Sequence, residues 1–143
     1  MAHDFKKFPE LNNGQFAMYY FDSPHQQIME SFDARVVKVV DGDTIRVMTS
    51  FRDFDFPIRM SNLMAAEMSE EGGERSRQKL ADLILNENVE IIINKKNRVG
   101  KYGRLLGQVK HRGFDVGEEM KSSGFAVDVW KEQLGIKELL LIL

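Results

Sequence analysis

Residues 34–49 read ARVVKVVDGDTIRVMT. Two β-branched runs flank Asp41-Gly42-Asp43, and acidic and glycine residues between such runs mark a turn joining two strands. Outward from this hairpin, FDFPIRMSNL (54–63) gives a third strand, with Pro57 near its start, where a missing N–H is tolerated. Residues 72–87 change period: Leu80, Leu83, Ile84 and Glu87 follow a helical rhythm, and Glu74, Arg75, Arg77 and Lys79 supply the polar face. VEIIINKK (89–96) and RLLGQVKHR (104–112) return to strand on either side of the glycine-bearing loop RVGKYG. DVGEEMKSSG (115–124) reads as a short helix, with Asp115 and Glu118 at capping-box spacing and Gly124 at its end. FAVDVW (125–130) is a last short strand or an extended segment. Three strands, a helix, two strands and a second helix make a mainly β chain with helices. Five short strands interrupted in this way suit a small closed or partly open barrel.

The chain has 143 residues, one domain's worth, with 43 % hydrophobic and 29 % charged residues, which excludes a disordered or fibrous protein. It has no cysteine, which excludes a disulfide framework, a zinc–cysteine site and thiol catalysis. The net charge of −2 makes any polyanion site a local cluster. Such a cluster exists between residues 95 and 112: Lys95, Lys96, Arg98, Lys101, Arg104, Lys110 and Arg112, with no Asp or Glu between Glu90 and Asp115. It is either a nucleic-acid-binding surface, in which Tyr102 bonds a phosphate or stacks, or a solvated basic hairpin. The Asp41-Gly42-Asp43 turn brings several hard oxygens together, as calcium requires, but the same turn closes hairpins that bind no metal. Arg59 and Glu67 fit a surface ion pair, or a phosphate clamp beside a general base.

Residues 1–33 form an N-terminal extension holding Pro9, Pro24, His3 and His25, with a short strand expected in QFAMYYF (15–21). Residues 131–143 form an apolar tail ending in LLLIL. That run is far short of the roughly 20 residues of a spanning helix, and the first residues lack the apolar core of a secretory signal, so no membrane span and a cytoplasmic location are expected. Both ends are candidate surfaces for a protein partner or self-association.

Taken together, these motifs resemble the staphylococcal nuclease family. DGDTI (41–45) resembles its D-G-D-T turn, IRMSNLMAAE (58–67) its arginine-to-glutamate segment, KYGR (101–104) its K-Y-G-R motif, and GFAVDVW (124–130) its later G-L-A segment. The likeness runs over residues 34–130. It implies an OB-fold, a five-stranded Greek-key β-barrel with two or three helices. It also implies calcium-dependent hydrolysis of phosphodiester bonds in DNA and RNA. By the same likeness Glu67 falls on the general base, and Arg59 and Arg104 on the phosphate-binding arginines. Asp43 falls on a calcium ligand, Asp41 on its acidic neighbour, and the Ala65 carbonyl on a main-chain ligand. Lys101, Tyr102 and Trp130 fall on nucleic-acid contacts. One position departs: where the family has a second metal aspartate, this chain has Met64. A thioether is a poor calcium ligand, so the implied site is weakened or takes another divalent ion. The alternative expectation is a module that binds nucleic acid or protein without cutting.

Overall fold

The structure is a computed structural model and describes residues 4–61, 63–100 and 103–128. The elements follow in chain order. A helix α1 (Asn13–Tyr19) runs into a 3-10 turn (Tyr20–Asp22), then come β1 (Phe32–Asp41), β2 (Thr44–Met48), β3 (Phe56–Met60) and a short β4 (Leu63–Met64). Helix α2 (Gly73–Ile84), β5 (Asn88–Ile92), β6 (Leu105–His111), β7 (Phe114–Asp115), α3 (Val116–Ser122) and β8 (Val127–Asp128) complete the described chain. Strands β1, β2 and β3 form an antiparallel meander. The other edge of β1 pairs with β5, β5 pairs with β6, and β6 returns parallel to β3. That last pairing closes a five-stranded barrel and leaves no open edge among its strands. The fold expected from the strand order is therefore present.

Long strand β1 serves two neighbours. Residues 32–35 pair with β5, and residues 35–41 pair with β2. Its register shifts between Val36 and Lys38 and again between Val39 and Asp41. Each irregularity bends the strand, as closure of a small barrel demands. It also explains why Val36 and Val39, three residues apart, both point inward while Val37 and Val40 are left over a third exposed. The core joins these to Ile45, Val47, Phe56, Ile58, Val89, Ile91, Leu105 and Val109 from the other strands, with Leu80 and Ile84 from α2 laid against them.

Three sequence expectations need correction. QFAMYYF is helical, not a strand. Asn12 caps α1: its Oδ1 accepts from the Gln15 N–H at 2.9 Å, and the Gln15 side chain accepts from the Asn12 N–H at 3.0 Å. This reciprocal box satisfies two otherwise orphaned donors and outweighs the β-propensity of the aromatics. Helix α2 stops at Ile84, short of 87. Asn86 turns left-handed at φ 65°, and the Glu87 carbonyl accepts from the Val36 N–H of β1 instead of continuing the helix. Third, Arg98 is not part of a basic surface; only 1 % of it is exposed. The rest of the segment's basic side chains that are described lie at least partly at the surface. At the C-terminal side, Val127 and Asp128 form a strand, paired with Met64 and Leu63.

Arg98 is the anchor of the N-terminal extension. Its Nη2 donates to Glu10 Oε2 at 2.8 Å, its Nη1 to the Leu11 carbonyl at 2.9 Å and its Nε to the Ile28 carbonyl at 2.7 Å. The other Glu10 oxygen takes Arg52 Nη2, which also donates to the Gln26 carbonyl at 3.0 Å. The buried Nε and Nη1 of Arg52 have no hydrogen-bond partner among the described residues, and its guanidinium lies 4.6 Å from the Phe56 ring centre, so an aromatic face meets the cation there. One carboxylate thus holds two buried cations, and the extension is bolted to both the β2–β3 loop and the β5–β6 loop. Removing one partner of a buried pair leaves an uncompensated charge. Glu10→Gln should lower stability by about 3–5 kcal/mol in urea denaturation. A near-wild-type midpoint would show that the extension is not clamped.

Candidate active site

The site grows from the tight turn between β1 and β2. The Asp43 N–H donates back to Asp41 Oδ1 at 3.0 Å, an Asx-type turn that fixes the two carboxylates relative to each other. Gly42 is required here by close approach. A Cβ at this position would lie 2.6 Å from the Ala65 Cβ and 2.7 Å from the Ser76 Cβ, so α2 and the segment after β4 pack directly on the turn. Ser76 is held in place by donating to the Phe125 carbonyl at 3.1 Å.

Asp43 gathers the surrounding elements. Its Oδ1 accepts from the Thr44 hydroxyl at 3.1 Å and its Oδ2 from the Ala65 N–H at 3.0 Å. Arg59 Nη2 pairs with the same Oδ2 at 3.3 Å. Both side chains are mostly buried, so the pair is shielded from solvent screening. The Asp43 carbonyl also accepts from the Met60 N–H at 2.8 Å, tying the turn to the end of β3. Arg59 donates further to the carbonyls of Met60 and Leu63 and to Met64 Sδ, the last at 2.8 Å. From the far side of the barrel seam, Arg104 Nη1 donates to the Thr44 hydroxyl at 3.0 Å. An arginine has no acceptor, so the single hydroxyl proton of Thr44 is directed at Asp43. Asp41 is pushed up to about 6, first by burial and then by its hydrogen bond with Asp43.

The structure therefore brings Asp41, Asp43, Arg59, Ala65 and Arg104 together at one mouth of the barrel, with both guanidinium groups at the Asp41–Thr44 turn. Glu67 lies two residues beyond Ala65 with an exposed side chain, and its own N–H donates to Glu70 Oε1 at 3.1 Å. Lys101, Tyr102 and Trp130 lie outside the described residues. Sequence reasoning treated Thr44 only as a letter of the turn motif. Its role as the bridge between Asp43 and Arg104 was signalled solely by a hydroxyl placed next to a turn carboxylate. Among the described residues no group of three or more His, Cys, Asp or Glu converges on a metal position, and no helix is long and apolar enough to cross a membrane.

A family model for staphylococcal nuclease homologues matches residues 55–140. The chain belongs to that family. It is 36 % identical over 78 residues to a micrococcal nuclease of Shigella flexneri, covering 54 % of this chain and 42 % of that protein. It is 32 % identical over 97 residues to an uncharacterized endonuclease of Haemophilus influenzae, covering 68 % of this chain and 52 % of that protein. A third relative, an uncharacterized endonuclease of Escherichia coli O157:H7, is 37 % identical over 93 residues, covering 64 % of this chain and 58 % of that protein. The chain spans about half the length of the curated relatives it matches.

Gly42→Ala tests the packing of the turn. With side-chain carbons of two other elements inside contact distance, the extra methyl should cost about 1–3 kcal/mol. Differential scanning calorimetry should show the lower transition, and an unchanged one would mean that the turn is not pressed against α2.

Proposed function

We propose that this chain is a divalent-metal-dependent phosphodiesterase that hydrolyses DNA or RNA, with Glu67 as general base and Arg59 and Arg104 as phosphate clamps. The observation that carries the reading is the single chain of contacts that runs from the Arg59–Asp43 ion pair through the Thr44–Asp43 hydrogen bond to the Arg104–Thr44 hydrogen bond. It sets two guanidinium groups around one pair of acidic residues, an arrangement of opposite charges suited to a phosphate and a cation side by side. In hydrolysis a water oxygen forms a new bond to phosphorus as the ester P–O bond breaks. Glu67 takes the water's proton, and the departing oxygen is protonated by solvent. The pentacovalent phosphate gains negative charge on its equatorial oxygens, and two arginine forks oppose that charge. Lys101, Tyr102 and Trp130 are assigned to the flanking nucleotides, through phosphate contacts for the first two and base stacking for the last.

The residues that would hold the ion are Asp41, Asp43 and the Ala65 carbonyl. Their oxygens are hard donors of the kind calcium takes. When bound, such an ion would neutralise phosphate charge as a Lewis acid. The donor set is short of the six to eight oxygens that calcium takes, and Met64 turns its sulfur to Arg59, so a weak site filled out by water and substrate oxygens is expected. Met64 also favours a second reading, a nucleic-acid-binding module that no longer cuts.

Two measurements separate these. Glu67→Gln should slow single-stranded DNA cleavage by at least about 100-fold, and Arg104→Ala by a comparable or larger factor. Turnover near wild type in Glu67→Gln would remove the general base from the scheme. Met64→Asp should tighten calcium binding on the order of tenfold in calorimetry, by adding a charged oxygen ligand beside Asp43. No gain with an intact fold would mean that the new carboxylate turns to Arg59 and does not reach the ion.

A further inference from the structure

The N-terminal extension begins before the region matched by the family model, which starts at residue 55. Yet it touches Gly103, the residue before Arg104. A Cβ on Gly103 would lie 2.7 Å from Phe8 Cδ1, so the Phe8 ring covers the backbone of Gly103. Gly103 is left-handed at φ 79°, and its N–H closes a turn onto the Gly100 carbonyl at 2.9 Å. Arg104 follows immediately. Just ahead of Phe8 stand Lys6 and Lys7, both exposed, with the Lys7 ammonium 5.4 Å from the centre of the Phe8 ring. Asp4 is the acidic neighbour. Its Oδ1 accepts the backbone N–H groups of Lys6 and Lys7, each at 3.1 Å, and its carbonyl accepts from the Phe8 N–H. Among the described residues no carboxylate is within ion-pair distance of either ammonium group. Lys95 and Lys96, also exposed, precede Arg98 in the same loop.

We infer that the extension is part of the nucleic-acid interface: Lys6 and Lys7 bind backbone phosphates of a single strand that continues past the phosphate at Arg104. The inference rests on the nuclease reading and deepens it. Two features carry it. The Glu10–Arg98 and Glu10–Arg52 pairs hold the extension to the barrel, so the backbone that carries its exposed lysines stays beside the β5–β6 loop. The Phe8–Gly103 contact puts that position next to Arg104 in the chain. A cleavage site needs its polyanion held on both sides of the scissile phosphate, and charged side chains fixed along the path supply affinity without reading sequence.

The test is fluorescence anisotropy of a fluorescein-labelled oligothymidylate of about 16 nucleotides, titrated in EDTA with wild type and with Lys6→Ala/Lys7→Ala. Each phosphate contact on a single strand contributes about 0.7 to the slope of log affinity against log salt. Losing two should lower the slope by about 1.4, so between about 50 and 200 mM salt the wild type should lose about sevenfold more affinity than the variant. Thermal unfolding should be unchanged, because both side chains are exposed. Normal binding with the same salt slope in both proteins would overturn the inference and leave the nuclease reading standing. No oligonucleotide binding by the wild type at any salt in EDTA, and neither binding nor cleavage with calcium added, would overturn both.

Discussion

The Asp43 carboxylate is the constraint on which the site depends. It is almost wholly buried and would be costly there alone. Two donors and one cation, from three parts of the chain, make it tolerable: the Thr44 hydroxyl, the Ala65 N–H and the Arg59 guanidinium. Each of those groups is thereby fixed in turn. Arg59 carries the constraint to the end of β3 and the start of β4 through the Met60 and Leu63 carbonyls, and Thr44 carries it to Arg104 across the parallel β3–β6 seam. A barrel closed by that seam is what lets residues 43, 59 and 104, distant in sequence, share one set of hydrogen bonds. The packing of Ala65 and Ser76 on the turn makes it intolerant of a side chain at residue 42.

Much of this was readable in the residues. The Val-rich runs around Asp41-Gly42-Asp43 gave the first hairpin, and the helix before residue 88 was visible in its leucine spacing. The capping of α3 followed from Asp115, which accepts the Glu118 N–H at 2.9 Å. Family motifs named Asp41, Asp43, Arg59, Ala65 and Arg104, and these five do converge. What a linear reading lacked was direction. The bulges in β1 break strict alternation, so period two alone misassigns which valines point inward. Thr44 looked like a turn residue because only the closed barrel brings Arg104 to its hydroxyl.

Arg98 shows the same limit more sharply. In sequence it stands among cations with no acid nearby, and the basic segment absorbs it. In space its partner is Glu10, 88 positions earlier, in the N-terminal extension. A buried pair at that separation leaves no local signal. The Asn12–Gln15 capping box, by contrast, was present in the letters and marks the start of α1 more reliably than the aromatic content of QFAMYYF. The extension is therefore an integral part of the described structure. Its buried charges explain why a chain with a net charge of −2 nonetheless devotes two arginines to holding its own N-terminal segment.

The most direct test of the central claim is a time course of single-stranded DNA cleavage by the purified wild-type chain in calcium, in magnesium, in manganese and in EDTA. The account predicts cleavage with at least one divalent ion, requiring more of that ion than a site with a full set of carboxylates, and none in EDTA. Intact DNA under every ion, with the chain folded and the strand bound, would contradict it and leave a nucleic-acid-binding barrel in which Met64 has ended the chemistry.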